Sequence, residues 1–259
     1  MLLSLIAAEC ARGGSLPLAW AALAGVPAHR AALRPLPALP VGTELCAGEE
    51  ALFKVTGRGI FPAAQGPHAL ECPFLTALRP VQEGESLSLS LRRAGYALAW
   101  ITLSDKGFAG LREDESGPLV AAMTAEKLAL CHSQGFLLPD EEQALRALFV
   151  ELALAQGYEL VIATGGTGLA PRDRSPEAAL SVIERRLPGF EQAMMAAGLQ
   201  KTPTAALSRA VAGTLGRSIV ICLPGSRKAV AENLAAVLPA LAHALDKLKG
   251  DAGDCGGVL

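Results

Sequence analysis

From about residue 95 onward, short apolar runs alternate with longer segments of helical periodicity, and polar, glycine-rich turns follow the runs. The runs are "YALAWITL" (96–103), "ELVIAT" (159–164) and "SIVICLPG" (218–225), with "FLLPD" (136–140) read as a strand end. Between them, "SGPLVAAMTAEKLALCHSQG" (116–135) reads as a helix with Ser116 as N-cap and Pro118 in its first turn. "EEQALRALFVELALAQG" (141–157) is amphipathic, opens on acids and closes on Gly157. "SPEAALSVIERR" (175–186) offers Ser175 as N-cap and Pro176 at the first helical position, and 226–250 is a long closing helix. Continuous apolar strands separated by helices predict an α/β fold: a mostly parallel sheet covered on both faces. Residues 251–259, "DAGDCGGVL", read as a flexible tail.

The first 95 residues follow a different pattern and predict a small β-rich domain. "LFKV" and the alternating "SLSLSL" (86–91) read as short strands, with Gly42, Gly48, Gly57, Gly59, Gly66 and Gly84 at turns between them and a helix near 16–24. The opening "MLLSLIAAECARGG" lacks a basic n-region and is broken by Glu9, which favours a core strand or helix over a signal peptide.

Composition excludes several classes. A net charge of −2 without a long Lys/Arg run argues against a nucleic-acid partner. No stretch reaches the ~18 consecutive apolar residues of a membrane span. The six cysteines form no CxxC pair, so neither a zinc site nor a disulfide framework is expected, and a cytoplasmic protein with reduced thiols is the plain reading. His29, His68, His132 and His243 are dispersed, without metal spacing or an elbow nucleophile, and read as surface or packing residues.

In open α/β sheets, ligands bind at the carboxyl ends of strands. Three polar segments fall there: "LSDKGFAG" after the first strand, "TGGTGLAPRD" after "ELVIAT", and "LPGS" after "SIVI". The turn Thr164–Gly165–Gly166–Thr167–Gly168 exposes amides with little side-chain bulk, as an anion cradle requires, although a tight connection has the same need for glycine. It is neither a Walker A loop nor a dinucleotide fingerprint. Asp140 and Asp173 fall at strand-end or loop positions. Beside a phosphate cradle, two such carboxylates suit a Mg²⁺ ion bridging to phosphates. The bland alternatives are helix capping for Asp140 and an ion pair with Arg172 or Arg174 for Asp173. "LPGS" followed by Arg227 and Lys228 forms a second helix N-terminus suited to anions. The loop 104–117 reads as a mobile lid or a solvated turn.

"TGGTGLAPRDRSPEA", with "SD" after the first strand, "LLPDEEQ", "TPTAALSR" (202–209) and "LPGSRKAV", resembles the molybdopterin adenylyltransferase family: MogA, MoaB and the G domain of gephyrin. The resemblance runs from about 96 to 250 and keeps the motifs in order. It implies a three-layer α/β/α domain, usually a homotrimer, that binds molybdopterin, ATP and Mg²⁺. The implied reaction transfers AMP to the terminal phosphate of the pterin and releases pyrophosphate, and a MoeA-type insertase then acts on the product. The essential aspartates, handling the metal, fall on Asp140 and Asp173. Substrate contacts fall on Ser104, Asp105, Thr164, Gly165, Gly166, Thr167, Gly168, Arg172, Ser208, Arg209, Leu223, Pro224, Gly225 and Ser226. The alternative is a non-catalytic carrier of molybdopterin or the finished cofactor. This chain departs from the family at Cys222, where Asn usually precedes "LPG", and at Ser175, where Thr is commoner. The first 95 residues faintly resemble part of a MOSC barrel, with Cys72 either a sulfur-handling relic or an ordinary buried cysteine.

Overall fold

A buried apolar strand needs partners for both its amides and its two faces, and the chain meets that need in two separate ways. The computed structural model describes residues 2–250, so the stretch read as a tail, with Cys255, lies outside the described residues. The chain divides into two units, Met1–Gly95 and Tyr96–Leu259.

The first unit is a closed barrel of β1 (Leu2–Ile6), β2 (Ser15–Ala19), β3 (His29–Ala31), β4 (Glu44–Ala47), β5 (Glu50–Pro62), β6 (Ala69–Ala77) and β7 (Ser86–Arg92). The order is β1-β3-β2-β6-β5-β4-β7, and β7 returns to pair with β1. Closure leaves no unpaired edge. Leu3, Leu18, Leu45, Phe53, Leu75 and Leu89 fill the interior. Two expectations are corrected. The segment 16–24 is no helix: β2 pairs with β6 and buries Leu18 in the barrel interior and Ala19 in a second apolar cluster on its other face, so partner strands rather than local periodicity decide the apolar run. Gly57 and Gly59 do not sit in turns but inside the 13-residue β5. A Cβ on Gly59 would lie 3.0 Å from the rings of Phe61 and Phe74, so this strand glycine leaves room for an aromatic pair.

The second unit runs β8 (Tyr96–Leu103), α1 (Asp105–Phe108), α2 (Ser116–Ala125), β9 (Leu130–Leu138), α3 (Glu142–Val150), β10 (Leu160–Thr164), α4 (Ser175–Leu180), β11 (Arg185–Arg186), α5 (Pro188–Leu199), β12 (Val211–Leu215), β13 (Ser218–Leu223) and α6 (Arg227–Lys249). The sheet order is β11-β12-β13-β10-β8-β9. Strands β13, β10, β8 and β9 are mutually parallel, while β12 and β11 add an antiparallel edge. On one face α2, α5 and α6 enclose Leu98, Ile162, Ile221, Met194 and Leu234; on the other, α3 packs against α4, which lies on β13. This is the three-layer α/β/α arrangement with a mostly parallel sheet.

Several boundaries differ from the expectation. The helix expected over 116–135 ends at Ala125, and residues 130–138 form β9. Gly135 in β9 faces Trp100, whose ring would lie 2.5 Å from an added Cβ. Ser116 is not the N-cap: Glu115 takes that position, and the Asp114 carboxylate accepts from the amides of Ser116 and Gly117, each at 3.0 Å. The helix expected over 175–186 is the single short α4, whose cap is Arg174 rather than Ser175. Its continuation is drawn into β11, where Arg185 pairs with Thr214. Asp140 does not cap α3; Glu141 is the cap residue, and its side chain accepts from no amide of that end.

Candidate functional site

The carboxyl ends of β8, β10 and β13 lie side by side in the sheet, so the loops that follow them form one floor. That floor is nearly free of side chains. Gly165 donates its amide to Leu223 O at 3.1 Å. It adopts φ 104°, and a Cβ there would stand 2.6 Å from Leu103 O. Gly225 lies against it: an added Cβ would be 3.1 Å from Gly165 Cα. Gly166, at φ 64°, leaves room for the Ser175 hydroxyl, which donates to Gly165 O at 2.6 Å. Thr164 donates its hydroxyl to Pro224 O at 2.8 Å and is buried. The hydroxyls of Thr164 and Ser175 therefore hold the turn itself.

Beyond the turn, Arg209 acts as a clamp. It donates Nε to Gly168 O at 3.0 Å, Nη1 to Glu177 and Nη2 to Asp173 O, while its amide donates to Thr167 O at 3.0 Å. A planar guanidinium suits several acceptors held in fixed directions. Asp173 adds its own restraint by accepting from Ala170 N through Oδ2 at 2.9 Å. A Cβ on Gly168 would meet that oxygen at 2.7 Å.

These loops border a cleft of roughly 340 Å³. Of the residues anticipated from sequence, Ser104, Asp140, Thr164, Gly165, Gly166, Arg172, Asp173, Gly225 and Ser226 line it. Ser208 and Pro224 instead line a neighbouring cavity of roughly 230 Å³, and Ser226 borders both. Asp105, Thr167, Gly168, Arg209 and Leu223 line neither cavity. Asp105 supports Asp140, accepting its amide at 3.0 Å, and Leu223 is wholly buried.

The carboxylates face one another electrostatically. Burial pushes the Asp140 carboxyl up, the charges of Asp105 and Asp173 push the same way, and the Asp105 amide and Arg172 oppose them. Among the described residues no three His, Cys, Asp or Glu side chains group as a self-sufficient metal site. Magnesium needs no such cage: one or two carboxylates, waters and substrate phosphates suffice, and a partly desolvated acid facing two others suits a cation. The donor set at Asp140 and Asp173 therefore fits Mg²⁺ held jointly with phosphates.

Arg112 and Asp114 are not singled out by the sequence, where both fall inside the loop 104–117 read as a mobile lid or a solvated turn. Arg112 lines the cleft, as does Arg172. Asp114 ties the loop to the sheet by accepting from Thr102 Oγ1 at 2.7 Å as well as from α2. Its place two residues before Ser116 was the available signal. Cys222 does not reach the cleft. It is fully buried, its Sγ lies 3.6 Å from Ser175 O, and burial pushes its thiol up to about 12.

Residues 99–243 match a family described as a probable molybdopterin binding domain. The chain is 38% identical over 153 residues to a molybdenum cofactor biosynthesis bifunctional protein of Chlorobaculum tepidum, covering 59% of this chain and 48% of that protein. It is 38% identical over 138 residues to a molybdopterin adenylyltransferase of Haemophilus influenzae, covering 53% and 70% respectively. Among solved structures it resembles the molybdopterin biosynthesis enzyme MoaB of Thermus thermophilus, with 41% identity and a TM-score of 0.55 over 60% of this chain and 98% of that one. A tungsten cofactor synthesizing MoaB from Pyrococcus furiosus gives 31% identity and a TM-score of 0.53, over 61% of this chain and 99% of that one. The chain spans about half the length of the curated bifunctional relatives it matches. Among the described residues no helix is long and apolar enough to cross a membrane.

Proposed function

This chain belongs to the molybdopterin-binding domain family, and we propose that it is a molybdopterin adenylyltransferase acting in molybdenum or tungsten cofactor synthesis. A terminal phosphate oxygen of molybdopterin attacks the α-phosphorus of ATP. A new phosphoanhydride bond forms, the bond from the α-phosphorus to the bridging oxygen of the β-phosphate breaks, and pyrophosphate leaves. The observation that carries this reading is the meeting of Gly165 and Gly225 beneath a cleft bordered by Asp140, Asp173, Arg112 and Arg172. A floor without side chains lets phosphates approach backbone, and the two arginines offset their charge.

The protein's part is positioning and electrostatics, as phosphoryl-type transfer demands. Gly165, Gly166, Gly225 and Ser226 shape the phosphate seat, and Arg209 holds the Gly168–Asp173 segment that presents Asp173. Asp140 and Asp173 would hold Mg²⁺, which when bound offsets charge on the transferred phosphates. The adjoining cavity at Thr202, Thr204 and Ser208 gives the second substrate a place beside the first. The same reading makes the protein a cytoplasmic homotrimer whose product passes to a MoeA-type insertase.

The test is pyrophosphate release with molybdopterin, ATP and Mg²⁺, comparing the native chain with Asp140→Asn and Asp173→Asn. Pterin-dependent release that collapses about a hundredfold in both variants supports the enzyme. Tight pterin binding without release, unchanged by either substitution, overturns it in favour of a non-catalytic carrier.

A further inference from the structure

The barrel carries a cleft of its own, of roughly 590 Å³, within the size range of small-molecule sites. Its walls are Trp20, Arg30, Arg34, Gln65, His68 and a set of small apolar side chains, with no carboxylate among them. The two arginines differ from three others of this unit in having, among the described residues, no carboxylate against them. Arg58, Arg79 and Arg92 each face a glutamate: Glu71 at 2.8 Å, Glu50 at 3.7 Å and Glu44 at 2.8 Å. Arg30 and Arg34 have no such partner among the described residues. Arg34 instead lies over the Trp20 ring, its guanidinium carbon 3.9 Å from the centroid. Stacking occupies the face of a guanidinium and fixes its plane, while the edge N–H groups remain free to donate. A cation held this way loses little freedom when it engages an oxyanion.

We propose that this barrel cleft binds a small organic phosphate, its phosphate engaged by Arg30 and Arg34 and its ring or hydrocarbon part lodged against the apolar wall. Two unpaired guanidinium groups call for a dianion, and a neighbouring histidine and amide add donors. Ala31, Ala63 and Leu70 offer the anion nothing, but they suit an uncharged body attached to it. This proposal does not rest on adenylyltransfer at the other unit, and neither result bears on the other.

The experiment titrates the full chain with phenyl phosphate, inorganic phosphate and phenol, followed by calorimetry and by tryptophan emission. Trp20 and Trp100 are the only tryptophans, so Trp20→Phe assigns the optical signal. The expected result is saturable binding of phenyl phosphate that perturbs Trp20 emission and weakens as salt rises. Affinity should drop roughly tenfold or more in Arg34→Ala and in Arg30→Ala, and phenol should not bind. Both arginines are exposed, and circular dichroism verifies that the variants fold. Arg34→Lys, which keeps the charge without the fork, is expected to recover only part of the affinity. Phenyl phosphate binding that is absent, or unchanged in the Arg30→Ala/Arg34→Ala double variant, overturns the site. Equal affinity for inorganic and phenyl phosphate overturns the organic part of the assignment.

Discussion

Gly225 and Gly165 touch backbone to backbone, close enough that one methyl group on Gly225 would stand 3.1 Å from the Gly165 Cα. Glycine at 225 lets the loops after β13 and β10 approach without displacement, while the space a Gly165 side chain would need is taken by Leu103 O, and together these contacts form the floor of the candidate site.

The two glycines are expected to differ in their response to alanine. At Gly165 the methyl meets the Leu103 carbonyl at 2.6 Å, and the left-handed φ of 104° adds strain. Gly165→Ala should cost on the order of 2 kcal/mol or more and abolish pyrophosphate release. Gly225→Ala asks its neighbour to move only a few tenths of an ångström, so it should fold nearly as well while activity drops. Thermal melts beside activity assays check the ordering; equal stability of the two variants would refute it.

Arg209 should act through the loop it clamps. Arg209→Lys preserves the charge but cannot reach Gly168 O, Asp173 O and Glu177 together. Loss of these bonds should cost about 1–3 kcal/mol locally and speed amide exchange across 167–173. Activity should fall with it, because Asp173 is carried on that segment. Exchange rates unchanged from the native chain would remove the clamp.

The pH dependence of the reaction follows from Asp140. Burial and the charges of Asp105 and Asp173 raise its carboxyl above the ordinary value of 3.8, so the ionised form is lost at a higher pH than for a free aspartate. Activity should fall on the acid side along that raised limb. Asp105→Asn keeps an acceptor for the Asp140 amide but removes a charge, so the limb should move to lower pH. A limb that stays in place excludes Asp140 as its source.

The barrel should weaken in acid through His29. This imidazole is fully buried, accepts the Ala8 amide through Nδ1 at 3.2 Å and packs edge-on against Phe53. Burial lowers its pKa from 6.5 to about 4, with Glu83 opposing. The unfolded chain binds the proton first, so the contribution is complete above pH 6.5 and is lost progressively as pH falls toward 4. Denaturation midpoints read from Trp20 emission should decline over that window and decline less in His29→Asn. The same slope in both proteins would assign the effect to other groups.

Residues 96–103, 160–164 and 218–223 could be read as strands because each is apolar along its whole length, which is what burial on both sheet faces demands. The glycine turn behind Thr164 was legible for a related reason: left-handed backbone and close approach admit few other residues. Only the end of β9, from residue 136, was legible as strand, and residues 130–135 read as helix. Their exposure is mixed, and what makes them a strand is pairing with β8, more than thirty residues away in register. At the antiparallel edge, β11 escaped because two residues of strand at Arg185 and Arg186 carry no periodicity to read, while β12, short and glycine-containing, takes its place by folding back on β13. Within the site, the sequence by itself determined which loops are polar, small and acidic. Only the tertiary structure decided that Arg209 clamps a loop while Arg112 lines the cleft, because a guanidinium's role depends on which acceptors the fold places within its reach.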